Sequence, residues 1–277
     1  MKKFTFLSLI SLFLLVLSCD TIDDPLKNND LTGGGGNDTS STDTVLQNVL
    51  LEEFTGVKCN NCPEAAEEAK RLVAAYGDRI IVLAIHAGNL AQTDPDHPRA
   101  FRTPEGTAYF NDFNLFGVPV GFVNRKEYEQ NAIIKLFQDW NSEIVDEISK
   151  PAVAKINLIE QGYNSSSREL DINGTVEVIG DLPDADIYLT VILAESKIIS
   201  AQTMPDKSIN PNYEHNHVLR AAFNSAYGEA IDLSSDTANF NYSITLDSEI
   251  VKENAEVIAY IYNRDTYQVI QAAKIEL

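Results

Sequence analysis

The stretch "EEFTGVKCNNCPEAAEEAKRL", residues 52–72, decides the fold of this chain, because it holds two of the three cysteines in a Cys-x-x-Cys spacing. The apolar run "VLQNVLLEEF", residues 45–54, predicts a β-strand in front of it. From Pro63, apolar residues at helical spacing predict a helix that ends near Gly77. A second buried strand, "RIIVLAIHA", follows, so the order predicts a parallel βαβ unit.

This order places Cys59 and Cys62 where a strand meets the N-terminus of a helix. A sulfur at that point faces unpaired N–H groups and the positive end of the helix dipole, and Lys58 adds a positive charge, so the thiolate is favoured. We expect Cys59 to be the exposed attacking thiol and Cys62, in the first helical turn, to be the resolving thiol. A redox-active dithiol needs no cofactor, because exchange uses only the sulfur atoms.

Three other interpretations of the pair stay open. A metal site needs about four ligands, and besides the two thiols only His86, at a predicted strand end, is suggestively placed, so no metal is expected. A structural disulfide across four residues closes almost no loop and would stabilise little. The cysteines could also be kept without a present task. His97, in "TDPDHP", is interpreted as a loop histidine.

The strand–"CNNC"–helix arrangement resembles the thioredoxin superfamily. The resemblance continues in Glu53, six residues before Cys59, and in "FGVPVGFVNR", residues 116–125. It implies that Glu53 is a buried acid that moves a proton to and from the resolving cysteine. It also implies that Pro119 is cis and that the backbone of Val118 holds a bound polypeptide.

The same resemblance implies an insertion and one helix within residues 87–116, with a helix start at Thr103. A helix over residues 128–150 would close the domain. "CNNC" lacks the Gly-Pro dipeptide of thioredoxin itself, so the reduction potential of that family cannot be transferred to this chain.

Composition and the N-terminus limit the location. The 277 residues are long enough for two ordinary domains, and a net charge of −20 argues against a nucleic-acid partner. Residues 1–18 have the layout of a signal peptide, and "LVLSC" resembles the lipobox of bacterial lipoproteins, which implies lipidation of Cys19. The alternative is an ordinary signal peptide with an incidental cysteine. The Gly-, Asn- and Asp-rich residues 20–44 predict a flexible tether that reaches roughly 25–30 Å.

The pattern of apolar and polar residues changes at Pro151. Several short strand-like runs separated by polar turns predict a β-sandwich over residues 151–277, and one of them alternates with Ala154, Ile156 and Leu158 on the same face. In "YEHNHVLR", His215 and His217 would share a face of a strand and could hold a metal. Hydrogen bonding that shapes a loop is the favoured interpretation of these two histidines.

The whole layout resembles the outer-membrane-protein-28-related lipoproteins of Gram-negative bacteria. We therefore expect an α/β thioredoxin-like domain over residues 45–150, followed by an all-β immunoglobulin-like sandwich over residues 151–277. The expected protein is lipid-anchored in the outer membrane, faces the periplasm or the cell surface, and exchanges with protein thiols or disulfides. The alternative is a binding or adhesion lipoprotein in which the thioredoxin-like domain is a scaffold.

Overall fold

The computed structural model describes residues 45–127 and 133–277, so the predicted signal peptide, Cys19 and the tether lie outside the described residues. The described chain contains three α-helices, α1 (Cys62–Tyr76), α2 (Pro104–Asp112) and α3 (Trp140–Ile148). Its strands, in chain order, are β1 (Val49–Thr55), β2 (Ile80–His86), β3 (Val120–Val123), β4 (Ala154–Asn164), β5 (Glu169–Val178), β6 (Ile187–Glu195), β7 (Ile198–Thr203), β8 (Ile209–His215), β9 (Val218–Ala222), β10 (Glu229–Ala230), β11 (Thr237–Thr245), β12 (Ala255–Asn263) and β13 (Val269–Glu276).

The predicted βαβ unit is confirmed. Strands β1 and β2 pair in parallel, and β3 pairs with β1 in the antiparallel direction. Helix α1 begins with Cys62 and Pro63 in its first turn and ends at Gly77, whose φ of 62° suits a residue without a side chain. The buried stripe of α1, which includes Ala65 and Leu72, packs on the sheet beneath it. Cys62 is therefore the first residue of a helix that is packed on β1 and β2.

Strands from both predicted domains form one sheet. Its order is β13-β12-β6-β9-β2-β1-β3, with β10 paired to β6. Strand β9 joins the two halves, because it is antiparallel to β6 and parallel to β2, and the amide of Ala84 donates to the carbonyl of His217 at 2.7 Å. The described residues 45–127 and 133–277 belong to one compact unit. The predicted boundary at residue 150 thus does not separate two independent sheets.

Both faces of this sheet are covered. One face carries a core that runs from Phe54 to Tyr260 and is closed by Tyr109 of α2. The opposite face packs against α1 and α3 beside β1, and against a three-stranded sheet, β11-β5-β4, beside β6 and β12. The predicted alternation in β4 is confirmed, because Ala154, Ile156 and Leu158 are buried while their neighbours are exposed. The result is a sheet-rich fold with few helices.

The predicted helix over residues 128–150 is wrong over residues 133–139. Among the described residues 133–150, only Trp140–Ile148 is α-helical. Lys135 instead forms an antiparallel bridge with Gly121, with two N–H···O bonds of 2.8 Å, which extends the edge of β3. Residues 128–132 of the predicted helix lie outside the described residues. The predicted helix start at Thr103 is confirmed, since its hydroxyl accepts from the amide of Gly106 and caps α2.

Candidate active site

Cys59 and Cys62 are joined by a disulfide at the start of α1. Their Cα atoms are 5.4 Å apart. The loop that carries Cys59 follows directly from the end of β1, as the sequence predicts, so strand, loop and helix together fix both sulfurs.

Both cysteines are buried, and the expectation of an exposed Cys59 is wrong. Each is 2% exposed. The loop 56–59 is held on two sides: the amide of Lys58 donates to Leu90 O at 2.9 Å, and the side-chain amide of Gln202, from β7, donates to Cys59 O at 2.9 Å. Access to the sulfurs therefore requires one of these neighbours to move.

The Val118–Pro119 peptide bond is cis, as the resemblance to the thioredoxin superfamily implies. Its loop places Val118 O 3.7 Å from the sulfur of Cys59. In the disulfide this is a contact, because the sulfur carries no proton. After reduction, the Cys59 thiol would be at a suitable distance to donate to that carbonyl. The loop is flanked by Phe116, whose side chain is almost fully exposed at 97%.

Glu53 lies on β1 and is 3% exposed. Burial removes the carboxyl from water and raises its pKa to about 8, so the group is mostly protonated at pH 7. Its Oε1 has no hydrogen-bond partner among the described residues. The burial that the resemblance implied for Glu53 is therefore observed, and its carboxyl can give or take a proton near neutral pH.

Glu53 and Cys62 line one cavity of about 400 Å³. Helix α1, strands β1 and β2, and the β7–β8 hairpin surround it. His86, from β2, and His215, from β8, also line it, with ring centroids 5.6 Å apart. Burial and the charges of His215 and Arg220 lower the pKa of His86 well below its usual value, and burial lowers the pKa of His215 to about 4. Both imidazoles are neutral at pH 7.

The two histidines of "HNH" do not share a strand face. His215 ends β8 and packs against Phe101, with ring centroids 4.8 Å apart. His217 adopts a φ of 55° in the turn before β9, and its Nδ1 lies 2.6 Å from Oε1 of Glu256. Its amide also donates to Ser196, so the loop-shaping interpretation is confirmed for His217. Within residues 45–127 and 133–277, no group of three or more His, Cys, Asp or Glu side chains is placed to hold a metal ion.

Sequence reasoning missed the β7–β8 hairpin, which brings Gln202 and His215 to the cysteines. Strand β8 begins at Ile209 within the segment "PDKSINPN", residues 205–212, whose Pro, Asp, Ser and Asn residues are typical of a turn. The run "IISAQT" carried a strand signal in Ile198 and Ile199. The contact of β7 with the loop that carries Cys59 had no signal in the sequence, because Gln202 and Cys59 lie more than 140 residues apart. His97 is a loop histidine as predicted, and its Nε2 lies 3.0 Å from the hydroxyl of Thr203 on β7.

Comparison with solved structures finds three bacterial proteins to which this chain is similar to different degrees. HBP35 of Porphyromonas gingivalis is 20% identical, with a TM-score of 0.63 over 84% of this chain and 76% of that chain. A domain of the outer membrane lipoprotein Omp28 from Porphyromonas gingivalis is 18% identical, with a TM-score of 0.33 over 46% of this chain and 88% of that one. A protein of Agrobacterium tumefaciens is 14% identical, with a TM-score of 0.45 over 82% of this chain and 93% of that one. No curated protein sequence matches significantly.

None of the helices within the described residues is long and apolar enough to cross a bilayer.

The remaining comparison is with protein families. The model of the family described as outer membrane protein Omp28 matches residues 106–277, which is more than half of the chain and includes the cis-proline loop and the β7–β8 hairpin. The chain therefore belongs to the Omp28 family of outer membrane proteins.

Proposed function

We propose that this protein is a membrane-anchored thiol–disulfide oxidoreductase that works through Cys59 and Cys62. One observation carries the proposal: the disulfide meets a buried, protonated Glu53 in one cavity and contacts the Val118–cis-Pro119 loop. A disulfide beside a proton donor and a strand-like backbone segment has the parts that exchange with a protein thiol requires.

The exchange begins from the oxidised form. A thiolate of a partner protein attacks the sulfur of Cys59, the Cys59–Cys62 bond breaks, and the partner becomes joined to Cys59 by a mixed disulfide. Cys62 leaves as a thiolate and takes the proton of Glu53. A second partner thiol, as its thiolate, attacks the partner's sulfur in the mixed disulfide and releases Cys59, so the partner is oxidised and the protein is reduced. The reverse sequence reduces a partner disulfide.

The remaining parts of the proposal concern architecture and location. Residues 45–150 act as a thioredoxin-like domain, and residues 151–277 act as an immunoglobulin-like sandwich that positions partners. Lipidation of Cys19 anchors the chain in the outer membrane, facing the periplasm or the cell surface. Membership of a family of outer membrane proteins supports the membrane association. The partners are protein thiols or disulfides, and the net charge of −20 disfavours nucleic acid.

The test is thiol–disulfide exchange by the full chain carrying Cys19→Ser, so that only Cys59 and Cys62 can react. We expect a reversible disulfide in glutathione buffers, with a potential near roughly −120 to −180 mV for an oxidase or isomerase and near roughly −270 mV for a reductase. Cys59→Ser should abolish exchange with a protein substrate, and Cys62→Ala should accumulate mixed disulfides. Exchange that continues in Cys59→Ser would refute the proposal.

The burial of both sulfurs favours a second candidate function. At 2% exposure, the disulfide is inaccessible to a protein thiol unless the loop 56–59 opens. In this candidate the β-rich half binds a partner, and the cysteine-bearing half is a scaffold. Binding of a partner that is unchanged in a Cys59→Ala/Cys62→Ala double variant would support it, whereas loss of binding in that variant would argue for exchange.

A further inference from the structure

The cavity beside the disulfide collects buried polar atoms that lack partners. Oε1 of Glu53, both ring nitrogens of His86, and Nε2 of His215 have no hydrogen-bond partner among the described residues. All three residues are more than nine-tenths buried, and all three line the same cavity. A buried polar atom without a partner costs free energy, so polar atoms are normally satisfied. The cavity volume of about 400 Å³ lies within the usual range of ligand pockets, roughly 300–1,000 Å³, so these groups indicate a site that a ligand completes.

The unpaired atoms include both donors and acceptors. Glu53 is mostly protonated at pH 7, so its carboxyl can donate as well as accept. The neutral ring of His86 has one N–H and one lone pair, and neither nitrogen is used by the described residues. Burial lowers the pKa of His215 to about 4, and hydrogen bonds to the backbone of Ser200 and Ala201 oppose that shift, so the ring donates to backbone carbonyls. Because a neutral ring has one N–H and Nε2 is unpaired, Nε2 of His215 is an acceptor, and a ligand that completes the site must both donate and accept.

A cation does not suit the buried end of this cavity. Arg99 and Arg220 lie outside the lining but close to the imidazoles. Besides burial, the charge of Arg99 lowers the pKa of His215, and the charge of Arg220 lowers the pKa of His86. The same two charges would repel an ammonium or guanidinium group placed beside the histidines.

An anion does not suit the buried end either. Nη1 of Arg220 lies 3.5 Å from Oε2 of Glu195, so an acid already opposes that charge. Arg99 lies over Phe101, 5.6 Å from the ring centroid, and is not part of the lining. Lys70 supplies the ammonium group of the lining, and its side chain is 76% exposed. A carboxylate beside the histidines would lose its water without gaining a direct counter-charge, so the surroundings favour a neutral ligand.

The rest of the lining suits a small apolar body. The walls from α1 and β2 include Ala66, Val73 and Val82. On the β8 side, Tyr213 adds an aromatic ring whose centroid is 4.9 Å from that of His215. A flat apolar ring could pack on these walls while its polar end reaches the histidines.

We propose that this cavity binds a small neutral molecule with an apolar body and a planar amide end. The amide carbonyl accepts from Glu53, and the amide N–H groups donate to Nε2 of His215 and to a ring nitrogen of His86. An amide matches these groups because it carries both donors and an acceptor without a charge. Cys62 lines the same cavity, so the ligand would lie beside the disulfide. The proposal concerns binding alone and does not depend on disulfide exchange.

The experiment compares three probes of similar size on the oxidised full chain carrying Cys19→Ser. Benzamide, acetophenone and benzoate share one ring and end in an amide, a methyl ketone and a carboxylate. They are titrated at pH 7 while NMR follows the imidazole resonances of His86 and His215, with His97, which does not line the cavity, as the internal reference. We expect saturable shifts at His86 and His215, with benzamide binding about tenfold more tightly than acetophenone, because the ketone leaves Nε2 of His215 unpaired. Benzoate should bind at least about tenfold more weakly than benzamide.

Three outcomes of the titrations would overturn the proposal. Equal affinities for benzamide and acetophenone would show that the cavity accepts an apolar ring without reading its polar end. Tighter binding of benzoate than of benzamide would show an anion site. The absence of a saturable shift with benzamide would show that the cavity does not take an amide.

A matched pair of variants locates the amide, with the resonances of His86 as the signal. His215→Phe keeps an aromatic ring and removes the acceptor, so the preference of about tenfold for benzamide over acetophenone should disappear. The control is Tyr213→Phe, which removes a hydroxyl from the same lining strand, and it should change the ratio of the two affinities by less than about twofold. A larger change in Tyr213→Phe than in His215→Phe would overturn the proposal. Should His215→Phe fail to fold, the three-probe comparison on the chain with His215 intact decides the question.

Discussion

Two adjacent glutamates on the opposite faces of β1 have different surroundings. Glu52 and Glu53 are neighbours on one strand, and both are buried. Glu52 enters the main core, where its two carboxylate oxygens accept from Nε and Nη2 of Arg125 at 2.6 Å each. Glu53 faces the cavity beside the disulfide, and its Oε1 has no partner among the described residues. Burial alone therefore does not decide whether an acid is structural; the partner does.

On the core face, the carboxylate of Glu52 is paired with the guanidinium of Arg125. Nη2 of Arg125 also donates to the hydroxyl of Tyr260 at 3.0 Å. The guanidinium lies 5.0 Å from the ring centroid of Tyr109 and 5.4 Å from that of Phe113, so aromatic faces surround the cation. On the cavity face, the carboxyl instead keeps an exchangeable proton at neutral pH. One strand thus separates a fixed ion pair from a titratable site.

The largest expected effect comes from breaking the ion pair. Arg125→Met leaves Glu52 as an uncompensated buried charge, and we expect a loss of about 3–5 kcal/mol in the free energy of unfolding. Urea denaturation of the oxidised chain measures it. Arg264→Met is the control, because Arg264 also lies over an aromatic ring, Tyr267 at 4.8 Å, and has no salt-bridge partner among the described residues. That change should cost about 1 kcal/mol. Equal losses in the two variants would contradict the structural role of the pair.

The second effect is the pH dependence that Glu53 introduces. Its folded-state pKa of about 8 exceeds the ordinary value of 4.5, so the folded protein binds more protons in between and loses stability as pH rises. Between pH 4.5 and 7 this term amounts to about 3 kcal/mol. Glu53→Gln should remove this term. The free energy of unfolding of the variant, measured by urea denaturation, should therefore rise relative to that of the unchanged protein as the pH increases from 4.5 to 7.

His86 and His215 act in the opposite direction, because their pKa values are lowered on folding. Both histidines are present in the variant and in the unchanged protein, so the difference between the two isolates Glu53. A stability difference that stays constant with pH would show that Glu53 has no raised pKa.

The smallest expected effect comes from removing the hydrogen bond that Gln202 donates to the loop carrying Cys59. Gln202→Ala removes the side-chain amide that donates to Cys59 O, and it should cost about 1–2 kcal/mol of stability. It should also free the loop 56–59, so that dithiothreitol reduces the disulfide about tenfold faster. Ile199→Ala, an exposed position on the same strand, is the control and should leave the rate unchanged. An unaltered rate in Gln202→Ala would mean that another contact limits access.

The parts of the molecule that sequence reasoning found are those with local signals. Pro63, Gly77 and the apolar stripe between them define α1 within fifteen residues, and the Cys-x-x-Cys spacing locates the disulfide. The helix expected over residues 128–150 is absent over residues 133–139, where Lys135 pairs with Gly121 of a strand, and that pairing leaves no periodic trace in the sequence.

The contacts that define the site are long-range, and they were missed for that reason. Gln202 reaches Cys59 across 143 positions, and Arg125 reaches Glu52 across 73. A buried arginine and a buried glutamate have no preferred sequence separation, so neither pairing has a pattern to search for. The burial of Cys59 also depends on long-range contacts. Because the sequence does not reveal these contacts, Cys59 was expected to be exposed.

The bridge that β9 makes between β6 and β2 has a consequence for how such a protein can evolve. A cysteine-bearing half that shares its sheet with the other half is not a detachable cassette, because cutting the chain after residue 150 removes the neighbour of β2 and exposes its edge. Gene fusion or shuffling at that point would produce a fragment with an unpaired strand edge rather than a complete fold. We therefore expect the two halves to fold, and to be exchanged in evolution, only as one unit.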